Sequence, residues 1–122
     1  MANTINWFEI PANDFERALK FYSTILGVSM EKTNMMGFDM GFFPGEMGEV
    51  TGAVVKGEGY VPSDKGALVY LNGGDDLNTV LSKIETAGGK VAVPKTRIND
   101  DIVYFAILMD TEGNKVALHS PK

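Results

Sequence analysis

The 122 residues contain no cysteine. That absence excludes disulfides, thiolate metal sites and a cysteine nucleophile. Histidine occurs once, as His119, and tryptophan once, as Trp7. Positive charge is scarce: 11 Lys and Arg stand against 16 Asp and Glu, a net charge of −5. An acidic chain repels a phosphate backbone, so no nucleic acid is expected as a partner. The same charge argues against an anionic membrane surface. No apolar run approaches the length of a membrane span. The opening Met1-Ala2-Asn3-Thr4 carries no basic patch ahead of an apolar stretch, so no signal peptide is expected and the expected location is cytoplasmic. Gly57-Glu58-Gly59 does not lead into a helix, so it is not a phosphate-cradling loop.

What is present is the composition of one globular domain spanning residues 1–122, with 44% hydrophobic and 22% charged residues. Thr4–Ile10 is rich in β-branched and aromatic side chains and predicts a strand, with Pro11 ending it. Asn13 or Asp14 can cap a following helix, because their side-chain oxygens accept from unpaired N–H groups. Phe15, Ala18, Leu19, Tyr22, Ile25 and Leu26 then form one apolar stripe, and Gly27 stops it. Strands are expected near Val28–Thr33, Phe38–Phe43 and Thr51–Lys56.

The order then repeats. Ala67–Leu71 predicts a strand, and Gly73-Gly74-Asp75-Asp76 turns the chain and caps a second helix. Leu77, Val80, Leu81 and Ile84 repeat the stripe, and Gly88-Gly89 ends it. Strands are expected near Lys90–Pro94, Val103–Met109 and Lys115–His119, with Asp110–Asn114 as a tight turn. Asp76 lies 62 residues after Asp14 (76 − 14 = 62), and the same offset pairs Leu81 with Leu19 and Gly89 with Gly27. The chain therefore reads as a duplicated β-α-β-β-β unit, an α+β fold with one module at about 3–57 and another at about 66–121. Gly57–Lys65 is the linker. A sheet covered by a helix on one face only leaves the other face free to form a ligand groove.

The string Asn6-Trp7-Phe8-Glu9-Ile10-Pro11-Ala12-Asn13-Asp14-Phe15, followed by Phe21-Tyr22 and Leu26-Gly27, resembles the opening of the glyoxalase/bleomycin-resistance/dioxygenase family. This is the vicinal oxygen chelate superfamily. Ala87-Gly88-Gly89-Lys90-Val91 and Asp110–His119 resemble its second-half signatures. The resemblance covers nearly the whole chain. It implies two βαβββ modules forming an open curved mixed sheet, usually in a homodimer. The alternative fold, a ferredoxin-like dimeric α+β barrel, needs fewer strands per half.

In the family's metalloenzymes, His or Glu side chains from the first and last strand of each module hold a divalent metal that polarises substrate oxygens. Carried onto this chain, the first-strand ligand falls on Trp7 and the last-strand ligand on Ala117. The offset of 62 puts the remaining two near Val69 and Val55. None of these side chains ligates a metal, so none is expected as a cofactor; a divalent metal is the alternative.

The resemblance thus points to a ligand-binding groove around Trp7, Glu9, Met40, Val55, Val69, Ala117 and His119. Trp7 is either a stacking wall for a planar ligand or a core side chain filling the space of a lost metal. Glu9 and His119 lie two residues from Trp7 and Ala117 and share their strand faces, which makes them the weak catalytic candidates for acid–base work. A partly exposed, hydrogen-bonded histidine is the plainer reading of His119. Met30, Met35, Met36, Met40 and Met47 suit an adaptable apolar wall, a dimer contact or ordinary core filling. Alternation puts Phe38, Met40 and Phe42 on one face. Lys95 and Arg97 are read as exposed hairpin charges ahead of a turn at Ile98–Asp101, with an anionic ligand as the other reading. Arg17, next to Glu16, is read as a solvated or salt-bridged face.

Three functions follow. The first is a metal-free protein that binds a small organic molecule in an apolar groove. The second is a metal-dependent lyase, isomerase or dioxygenase resembling glyoxalase I. The third is an interaction module whose groove is filled by its own side chains.

Overall fold

The computed structural model describes residues 3–46, 49–99 and 103–122. Chain order is β1 (Trp7–Pro11), α1 (Phe15–Leu26), β2 (Glu31–Met35), β3 (Phe38–Phe42) and β4 (Thr51–Lys56). The second module runs β5 (Tyr70–Asn72), α2 (Leu77–Ile84), β6 (Lys90–Asn99), β7 (Val103–Met109) and β8 (Lys115–Ser120). Both modules share one strand order: β1-β4-β3-β2 and β5-β8-β7-β6. In each, the first strand pairs parallel with the last, and the other pairings are antiparallel. The α+β fold of two βαβββ units expected from the repeat is therefore present.

Local chemistry accounts for both helices. Asp14 and Asp76 are their N-caps, 62 residues apart as the repeat requires, and their carboxylates accept from Arg17 N and Asn78 N. Gly27 ends α1 in the left-handed conformation at φ 65°, where a side chain would be strained.

Boundaries moved where other forces won. β2 starts at Glu31 rather than Val28, and Met30 packs against the core instead. β5 is Tyr70–Asn72, later than Ala67–Leu71. β6 runs through Pro94 to Asn99, its register slipping at bulges between Val91 and Asn99. An edge strand accommodates proline and bulges, since one side of its backbone needs no partner. Ile98 thus lies in β6, while Met47, Asp100 and Asp101 lie outside the described residues.

Both sheets bury their helix-bearing faces in one core. Ile10, Leu19, Phe21, Tyr22, Ile25 and Val54 from the first module meet Leu71, Leu77, Val80, Ile84, Leu108 and Leu118 from the second. Full burial of each such side chain stabilises by about 1.5–3 kcal/mol. Close approach of the strands depends on glycine at one point. A Cβ on Gly52 would lie 2.3 Å from the Phe8 carbonyl oxygen, a backbone atom on the adjacent β1. Gly52→Ala is expected to destabilise by about 2–3 kcal/mol, because β1 and β4 must separate to relieve the clash. The checking measurement is urea unfolding, with a lower midpoint at unchanged slope; an unaltered midpoint would show that the strands yield freely.

A polar clasp also joins the modules. The turn after β7 delivers Glu112 to the start of α1. Its Oε1 accepts from the backbone N–H groups of Asn13 and Asp14, at 2.9 and 2.7 Å. Its Oε2 accepts from Arg17 Nε at 2.7 Å and Thr111 Oγ1 at 2.9 Å. Beside it, the buried Tyr22 hydroxyl donates to Asp110 Oδ2 at 2.6 Å. Asn114 Nδ2 donates to Asp110 Oδ2 and to the Pro11 carbonyl. No buried side-chain polar atom among the described residues lacks a partner.

Candidate functional site

Strand alternation sorts each sheet into two faces. A Cβ on Gly41 would meet Leu19 of α1, so Gly41 faces the helix, and Phe38, Met40 and Phe42 face away from it. Ile10 and Val54 lie in the core, so Trp7, Glu9, Ala53 and Val55 share the face of Phe38, Met40 and Phe42. On this outer face the Trp7 and Phe42 ring centroids lie 6.1 Å apart. Ala53 and Val55 are fully covered at its floor, while Trp7 stands 43% exposed above them.

Glu9 is the partly buried carboxylate on this face; Glu31, opposite Phe42 on the outer strand, is exposed. Trp7 Nε1 donates to its Oε2 at 3.3 Å, and the Tyr60 hydroxyl donates to its Oε1 at 2.6 Å. Tyr60 comes from the linker and packs edge-on against Phe38, with centroids 5.5 Å apart. The hydrogen bond to Glu9, aided by slight desolvation, raises the Tyr60 phenol above its ordinary pKa. Sequence reasoning missed Tyr60. Its one signal was an aromatic residue within the otherwise polar Gly-Glu-Gly-Tyr linker.

The second sheet's outer face carries Tyr70, Asn72, Ala117 and His119. Val116 and Leu118 lie in the core, so Ala117 and His119 point away from it. Tyr70 pairs with Ala117, and Asn72 with His119. The His119 ring sits edge-on to Tyr70 at 5.9 Å. No hydrogen bond or ion pair joins Glu9 to His119; Glu9 accepts from Trp7 and the linker's Tyr60, and His119 packs on Tyr70. The proposed acid–base pair is thus two separate groups.

Trp7, Glu9, Met40 and Val55 are brought together on one face, and Ala117 and His119 on the other. Val69 belongs to neither. It packs against the helix-side core, and Tyr70 takes the outward position beside it. The cause is the drift of the repeat. The offset is 62 at the caps but 64 at the last strands, since β4 and β8 match end to end (115 − 51 and 120 − 56). Ala53, not Val55, is therefore the counterpart of Ala117, and both are fully buried. Of the four candidate wall methionines that the structure describes, Met30 packs against the core, Met35 and Met36 are exposed at the β2–β3 turn, and Met40 lies beside Val55 in the wall.

The basic residues lie elsewhere. Lys95 Nζ sits 3.7 Å from Asp76 and over the Tyr104 ring at 4.6 Å, and Arg17 pairs with Glu112. A separate cleft of about 1280 Å³ lies at the seam between the modules. Ile5, Phe8, Phe43, Val69, Leu71 and Val80 are among its lining residues, and Trp7, Glu9 and Met40 are not.

The donor set does not fit the divalent metal that the resemblance implies. Among the described residues, no three His, Asp or Glu side chains converge to share an ion. The outer faces offer Glu9 and, at the exposed edge strand, Glu31 on one sheet, and His119 with Asn72 on the other. Glu9 already accepts from two neutral donors.

The chain matches the family model described as Glyoxalase/Bleomycin resistance protein/Dioxygenase superfamily over residues 4–118. It is 33% identical to a "Glyoxylase-like domain-containing protein" from Didymella fabae, across 93% of this chain and 91% of that one. Its fold is similar to the crystal structure of a glyoxalase/bleomycin resistance protein from Albidiferax ferrireducens T118. There the TM-score is 0.74 at 17% identity, covering 97% of this chain and 98% of that one. It is also similar to glyoxalase I from Zea mays, with TM-score 0.69 and 19% identity. That match covers 94% of this chain but 45% of the maize chain. The chain belongs to the Glyoxalase/Bleomycin resistance protein/Dioxygenase superfamily. No helix among the described residues is long and apolar enough to cross a membrane.

Proposed function

We propose that this chain is a metal-free protein that binds a small organic molecule on the outer face of its first sheet. The observation that carries the reading is the Trp7–Glu9–Tyr60 group set among Phe38, Met40 and Phe42. Aromatic and thioether walls supply apolar contact area, and one polar group fixes orientation, which is the usual make-up of a small-molecule site. The donor set argues against a metal-dependent lyase, isomerase or dioxygenase. In this reading the protein works in the cytoplasm as a homodimer. Trp7 and Tyr70 stand exposed on outer faces, and β1 and β5 are edge strands of their sheets among the described residues, so a second copy has apolar surface to cover.

Calorimetric titration with Mn²⁺, Ni²⁺ and Zn²⁺ tests the metal-free reading. The expected result is no stoichiometric uptake at micromolar protein, with two chains per particle in sedimentation of the same sample. Uptake of one ion per chain, lost in Glu9→Ala and His119→Ala, would favour the lyase reading instead.

A further inference from the structure

We infer that the ligand class of the first sheet's outer face is a small organic cation, a protonated amine or quaternary ammonium. The inference rests on the reading of this face as the binding site. Glu9 is a half-buried carboxylate bonded only to neutral donors, the Trp7 indole and the Tyr60 phenol. Two oxygens accepting one bond each leave lone pairs unused. The ion pairs elsewhere occupy other carboxylates: Arg17 with Glu112, Lys32 with Glu16, Lys65 with Asp64, and Lys95 with Asp76. None of these cations reaches Glu9.

The rings around Glu9 complete the argument. Trp7 and Phe42 form one tilted pair, and Phe38 and Tyr60 an edge-on pair. Aromatic faces attract cations through the ring quadrupole, most strongly with tryptophan. A carboxylate among such rings favours a positive charge on an apolar body. It disfavours an anion, which would meet both Glu9 and the negative ring faces. A neutral ligand would gain the apolar contacts and at most a hydrogen bond from Glu9, without the ion pair. The chain's net charge of −5 works in the same direction.

Three probes of similar shape separate the cases: benzyltrimethylammonium, its neutral carbon isostere neopentylbenzene, and benzoate. The readout is the Trp7 indole N–H resonance, which is unique because the chain has one tryptophan. Benzyltrimethylammonium should shift that resonance at concentrations about tenfold lower than either other probe, the scale of one ion-pair or cation–π preference. Glu9→Gln should reduce the preference to what the aromatic rings alone supply while leaving the melting temperature unchanged. Equal or tighter binding of neopentylbenzene to the unmodified protein would overturn the cation assignment and leave the apolar site standing. Failure of all three probes to shift the indole resonance would overturn the site together with it.

Discussion

Glu112→Ala is expected to destabilise the protein by about 3 kcal/mol, lowering the melting temperature by roughly 10 °C. The size follows from what the carboxylate holds. It accepts from two backbone N–H groups at the start of α1, which have no partner within the helix, and from Arg17 and Thr111. Removing it strands those donors at the junction of the two modules. A simple surface ion pair would behave otherwise. In that case Arg17→Ala and Glu112→Ala would cost the same small amount. The Arg17 side chain is 53% exposed and that of Glu112 fully buried, so the glutamate variant should be far the worse. Equal costs in a thermal scan would remove the clasp from the account.

The clasp also sets a pH dependence. Burial opposes ionisation of Glu112. The hydrogen bonds from Arg17, from the Asp14 and Asn13 backbone and from Thr111 outweigh it, so its pKa lies below the ordinary value. The folded state therefore binds this proton less readily than the unfolded chain. The resulting stability is present above the unfolded-state pKa of about 4.3 and is lost as pH falls through the folded value. Glu112→Gln should flatten the acid limb in that window. Tyr22 acts at the other end. Burial first, then the Asp110 charge and hydrogen bond, raise its phenol well above the ordinary value. Its contribution is present below the unfolded-state value of about 10 and fades as pH rises.

Trp7→Ala is expected to weaken ligand binding by about 30-fold or more, with little change in stability. A central tryptophan in a binding face commonly contributes about 2 kcal/mol or more. Trp7 is 43% exposed and outside the buried core, so truncating it opens no cavity there. Trp7→Phe keeps a ring beside Phe42 but loses the N–H to Glu9, and should fall between the two. Calorimetry reads the affinities and a thermal scan the stability. A large loss of stability with unchanged affinity would recast Trp7 as a packing residue.

Much of the fold was legible because local chemistry wrote it. The apolar stripes of α1 and α2, their aspartate caps and Gly27 all lie in short stretches of sequence. The site was half legible. Alternation placed Phe38, Met40 and Phe42 together, and the resemblance put Trp7 and Glu9 beside them. Val69 failed because a fixed offset cannot follow a repeat whose loops differ in length. One residue of slip turns a strand side chain to the opposite face. Tyr60 was illegible because it reaches Glu9 across 51 residues from an irregular linker. Glu112 read as part of a tight turn, and so it is. Its second task, binding a helix start 98 residues earlier, leaves no local pattern.

In the proposed function the ligand sits against Trp7 without a metal. Trp7 is the only tryptophan, so its fluorescence reports from the site alone. The decisive measurement is Trp7 emission during titration with the tightest binder of a small-aromatic panel, with and without excess chelator. The expected result is a saturable change at one ligand per chain, identical under both conditions. Binding that calorimetry detects but Trp7 does not, or that disappears with the chelator, would contradict it.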